Sequence, residues 1–205
     1  MSLESKCEEG FGRTLVEALE DAARRAGLKQ VSNLIYEIIE KKENHIKIKL
    51  YLDKETFKAI EDLVKGTLGK VVDIRDIVVS KSGKFLNVNI TCRGKTSYVI
   101  GKSGVVLDAW EYILNLMARR KEVLRNYRLV FDINGYRQKR IRFLKDKAVA
   151  VAEQVKNTGM EMRLDPIDEK DLKYVKEALR SCKDVRYYII RQNDKRVVVI
   201  APKNY

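Results

Sequence analysis

The stretch YVIGKSGVVLDAWEYILNLMARR, residues 98–120, decides the reading of this chain. An apolar run closes on Gly101, Lys102, Ser103 and Gly104, and a helical pattern follows with Leu107, Trp110, Ile113, Leu114 and Met117 on one stripe. The spacing predicts a short helix, a glycine bend and a longer helix. The stripe should face a core, with Trp110 and Met117 inside it and Tyr112 drawn in beside them. Glycine at 101 and 104 lets a ligand approach the main chain closely, and the first amides of the longer helix would point toward it. Phosphate is the guest that such a bend suits, with Lys102 as a point charge and Ser103 as a small donor. Ile100 and Val106, together with Val99 and Val105, offer an apolar groove in which bases could be oriented. The Gly-Lys-Ser triplet is not the end of a nucleotide-binding P-loop, because that motif needs a further glycine where Thr96 stands.

Outward from the bend, the patterns resolve into modules. Residues 53–134 read helix, strand, strand, short helix, glycine bend, helix, strand, with Asp53 as the N-cap of the first helix and Gly83 in the turn between the first two strands. Before them, RTLVEALEDAARRAG is helical, and NLIYEIIE and HIKIKLYL form a hairpin. After them come a long helix from residue 136, a second helix over IDEKDLKYVKEALRSC, and the strands VRYYII and RVVVIA. The expected architecture is α+β in three small modules, 1–52, 53–134 and 135–205. The central one has the order α-β-β-α-α-β, with a three-stranded sheet packed on helices, and the last is a small α/β module.

Charge localises the functional surface. The 205 residues carry a formal net charge of +13, and residues 95–160 hold 14 basic against six acidic side chains. A local excess of this kind fits a polyanion, since neutralised phosphates release counterions. Phe143 falls outside the apolar stripe of its helix, among Lys139, Arg142 and Lys147, where it could either pack or stack.

Other classes are weakened. Cys7, Cys92 and Cys182 are far apart and His45 is the single histidine, so neither a disulfide framework nor a metal site is expected. No cofactor is implied. No pair of groups can be nominated for acid–base catalysis, so an enzyme is not expected. MSLESKCEEG has no signal pattern and no apolar run reaches membrane-spanning length, so no membrane insertion is expected, and a cytoplasmic location is.

VIGKSGVVLDAWEYILNLMARR followed by YRLVFDINGYRQKRIRFL, with GYRQKR, NTG and LDPID further on, resembles the bacterial Jag family, also called SpoIIIJ-associated proteins. That family joins a small Jag domain, a type II KH domain and an R-three-H domain. The resemblance implies that 53–134 is the KH domain and that Gly101, Lys102, Ser103 and Gly104 contact the backbone of single-stranded nucleic acid. In the R-three-H stretch, Leu172 and Lys176 stand where the family has Arg and His. Lys173 and Lys176 are therefore candidates for phosphate contact without base selectivity. The glycine- and phenylalanine-rich loop that follows the YEIIE-like strand in relatives is replaced here by KKENHIKI. Arg137 and Arg140 complete the candidate surface. The expected ligand is single-stranded RNA, with single-stranded DNA as the other candidate. The resemblance also implies a second small KH protein as partner, with a homodimer compatible, and a role in cell elongation or division. The competing expectation is a protein–protein adaptor at the membrane or cell-wall machinery.

Overall fold

The computed structural model describes residues 7–28 and 33–203, so the first six residues of the N-terminal stretch read above lie outside it. It divides into two compact units, 1–135 and 136–205.

The first unit is built on one mixed, six-stranded sheet of order β1-β3-β2-β4-β5-β6. Its strands are β1 (Cys7–Gly12), β2 (Ile35–Lys42), β3 (His45–Tyr51), β4 (Asp73–Ser82), β5 (Phe85–Arg93) and β6 (Arg128–Ile133). The helices are α1 (Leu15–Arg25), α2 (Lys54–Thr67), α3 (Ser97–Ile100) and α4 (Val105–Ala118). From α2 to β6 the order is the expected α-β-β-α-α-β. The three-stranded sheet expected for the central module is instead half of a larger one, because β2 pairs in parallel with β4 through Ile35↔Val79 and Tyr36↔Ser80. The reading at 52/53 thus falls inside one compact unit. Asp53 caps α2 as expected, its Oδ1 accepting from the Glu55 and Thr56 amides, both at 3.0 Å.

Alternation along the strands distributes the helices. Ile48 and Leu50 pack with Ala18 and Ala22 of α1. Ile35, Tyr51 and Val79 point the other way and are fully buried or nearly so. Strand β1 has no counterpart in the sequence reading. Its sequence, CEEGFG, has two glycines and two acids and little strand propensity. Those glycines are what the packing needs, since a Cβ on Gly10 would stand 2.1 Å from the Ala18 carbonyl oxygen.

The second unit packs α5 (Tyr136–Thr158) and α6 (Glu169–Leu179) on a three-stranded sheet of order β7-β9-β8. Its strands are β7 (Met162–Arg163), β8 (Val185–Gln192) and β9 (Lys195–Pro202). Its core joins Leu144, Ala148, Ala152 and Val155 of α5 to Leu172, Val175 and Leu179 of α6 and to Val198 and Ile200 of β9. Among the described residues, no helix is long and apolar enough to cross a membrane, and no group of three His, Cys, Asp or Glu could hold a metal ion.

Candidate nucleic-acid interface

The chain between α3 and α4 is a tight bend in which three of four residues have positive φ. Gly101 has φ 73° and ψ 173°, a region open in practice only to glycine. Ser103 is left-handed at φ 58° and Gly104 at φ 81°. Space is as restrictive as torsion: a Cβ on Gly101 would lie 2.4 Å from Val106 Cγ2. The bend is tied by the Gly101 amide to the Ser97 carbonyl at 2.7 Å and the Gly104 amide to the Gly101 carbonyl at 3.2 Å. No side chain caps α4, whose N-cap is the buried Gly104, and the Val105 amide donates to the Lys102 carbonyl. Lys102 is exposed at the apex, and Ser103 is half-buried.

The apolar groove differs from its expectation. Ile100 is only 8% exposed and belongs to the core, and Val106 is half-buried against Gly101. The side chain that projects is Val105, 58% exposed. Beside the bend, Tyr98 is also exposed, its hydroxyl donating to the Val71 carbonyl at 2.9 Å. A tyrosine one residue into a short helix was visible in the sequence, but its outward direction was not.

The stripe read on α4 needs a larger correction. Leu107, Leu114 and Ala118 are buried, Trp110 is half-buried, and Tyr112, Ile113, Leu116 and Met117 are exposed. With Val105 they leave an apolar face one helix long.

The remaining candidates belong to the second unit. Arg140 does not present its guanidinium outward: Nε and Nη2 donate to Asp171 Oδ2 at 2.9 and 2.7 Å. Arg140 and Asp171 are both largely buried, at 18% and 8% side-chain exposure. Burial opposes the charge on Arg140, and hydrogen bonding and attraction to the Asp171 carboxylate outweigh it, so its pKa is raised. The pair joins α5 to α6. Arg137 is half-buried. On α6, Leu172 is core, Lys176 is half-buried and Lys173 is exposed, its ammonium 4.8 Å from the Tyr174 ring centre. Tyr187 packs on the core and Tyr188 turns outward to donate to Glu161 at 3.0 Å, as adjacent strand positions require.

Fold and site define a mixed α/β protein with a glycine bend between two helices of its larger unit, Lys102 exposed on it. No protein-family model matches the chain. It is 30% identical over 146 residues to RNA-binding protein KhpB of Clostridium symbiosum, across 69% of this chain and 62% of that protein. It is 27% identical over 172 residues to RNA-binding protein KhpB of Bacillus subtilis (strain 168), across 82% of this chain and 76% of that one. The chain thus matches less than two thirds of the length of the Clostridium protein. These relatives support the Jag family at a distant level.

Proposed function

We propose that this protein binds single-stranded RNA in the bacterial cytoplasm, with residues 53–134 acting as a type II KH domain and 135–205 as an R-three-H-like domain. The Gly101–Gly104 bend carries the reading. Two glycines at positive φ, an exposed Lys102 and a helix start that no side chain caps support contact with a sugar-phosphate strand. Lys102 supplies the charge at its apex. Two relatives named as RNA-binding proteins point the same way. Lys173 and Lys176 add phosphate contacts, whereas Arg140 serves the α5–α6 joint. A regulatory role in cell elongation or division goes with this reading, and no catalysis does.

The test replaces Lys102 and Ser103 by aspartate and titrates single-stranded RNA at two salt concentrations. Affinity should fall steeply with the fold intact, and Lys102→Gln alone should flatten the salt slope by about 0.7. Unchanged binding would refute the reading.

A second reading, a protein–protein adaptor, is favoured by one observation: the exposed face of α4, with Tyr112 at 67% and Leu116 at 45% exposure. A second small KH protein or a second copy of this chain would meet its chemistry. Tyr112→Asp with Leu116→Asp should then abolish association and leave RNA affinity unchanged.

A further inference from the structure

We propose that α5 carries a second nucleic-acid contact, in which Phe143 stacks an unpaired RNA base and the cations around it hold the adjoining phosphates. This rests on the RNA-binding reading above and adds to it a base-contacting residue in the second unit.

Helix α5 already has a complete apolar face in Leu144, Ala148, Ala152 and Val155, all buried. Phe143 lies on the other side, 59% exposed. Lys139, Phe143 and Lys147 follow one another at intervals of four and so form a single row, each about 6 Å up the axis from the last. The Lys147 ammonium stands 5.9 Å from the Phe143 ring centre. Arg142, also exposed, precedes Phe143 on the helix.

The cations between positions 139 and 147 divide into two kinds. Arg140, Lys145 and Lys147 pair with Asp171, Glu177 and Asp165. Lys139 and Arg142 are exposed and have no acidic partner among the described residues. Lys147, although paired with Asp165, remains against the ring.

An aromatic ring framed by cations selects its guest. An apolar protein surface would have to strip water from Lys139 and Arg142 in order to reach Phe143, which is costly for unpaired charges. A nucleotide meets both halves at once, because its base has a π-face for the ring and its phosphates match the ammonium and guanidinium groups. The exposed face of α4 is richer in apolar side chains, with Arg119 and Arg128 lining a cavity beside Tyr112 and Leu116.

The experiment uses the full chain, a short single-stranded RNA of mixed sequence, and the same oligomer carrying abasic sites. F143A should weaken binding to the intact oligomer by about 5- to 150-fold, leave the salt slope unchanged, and show almost no loss on the abasic one. F143W should restore the affinity. K139Q combined with R142Q should lower the salt slope by about 1.4 on both oligomers. The Lys102→Asp, Ser103→Asp variant runs alongside. If it loses binding while F143A binds like the parent, the stacking proposal falls and the bend reading stands. If it binds like the parent while F143A loses affinity for the intact oligomer alone, the bend reading falls and the stacking proposal stands. An F143A variant that has lost its unfolding midpoint, or that weakens equally on both oligomers, marks the ring as a packing residue and overturns the proposal.

Discussion

At the scale of single residues, two positions are fixed by surroundings that a linear pattern conveys unequally. Gly101 was legible because glycine at a helix–helix bend has few other uses, and its backbone leaves no alternative. Gly101→Ala must either move Val106 or abandon the bend. It should destabilise the first unit by about 1–3 kcal/mol, measured as a shift in chemical unfolding. Arg140 was legible only as a cation. Its partner lies 31 positions away, and what decides its role is burial, which composition does not reveal. Asp171→Ala would strand a guanidinium that is largely out of water. The expected loss is about 3–5 kcal/mol, read by urea unfolding of the second unit's signal. Arg140→Met together with Asp171→Leu should cost much less.

At the scale of elements, the hairpin strands and the capped helix α2 followed from alternation, turn residues and Asp53. Helix α4 did not, and the reason lies in its sequence, VVLDAWEYILNLMA. It is apolar on nearly every side, so several stripes fit it equally and periodicity cannot choose among them. The packing chooses Leu107, Leu114 and Ala118. The polar residues of α4 explain its orientation better. Asn115 bonds both ways to Leu129, accepting from its amide at 2.9 Å and donating to its carbonyl at 2.7 Å. Glu111 Oε2 accepts from the Phe131 amide at 3.1 Å. These groups lie on the side of β6 that no strand covers, so α4 closes the sheet's edge with side chains, and an open edge is a template for pairing between chains. Asn115→Ala should lower stability by about 1–3 kcal/mol and produce concentration-dependent self-association by light scattering. A monomeric, equally stable variant would remove the edge-sealing role.

At the scale of the whole molecule, each compact unit follows its own rules. In the first, one polar cluster fastens the N-terminal hairpin to the rest of the sheet. The Tyr51 hydroxyl donates to Glu37 Oε2 at 2.5 Å, and Lys81 Nζ lies 3.5 Å from the same oxygen. Burial alone would raise the Glu37 pKa, but the Tyr51 hydrogen bond and the Lys81 charge outweigh it and hold the carboxyl below its ordinary 4.5. A carboxylate depressed in the folded state contributes stability that is present above about pH 4.5 and lost as pH falls through its folded value. Glu37→Gln should therefore lower the unfolding midpoint at neutral pH and flatten its decline in acid, measured by thermal melts across pH. The sequence could not announce this cluster, because its members come from three strands and the junction depends on a parallel pairing between distant segments. Local pattern revealed the order of elements from α1 to β6, without β1, and the place of the bend. Long-range pairing decided how many strands share one sheet.

That junction has a further meaning. Among the described residues, two pairs, Ile35↔Val79 and Tyr36↔Ser80, are in register across it, whereas β4 and β5 are paired over most of their length. A sheet joined so narrowly has a built-in parting line, and its two halves can breathe on separate clocks. Opening along that line would disturb β1 to β3 first and spare the scaffold that holds the glycine bend.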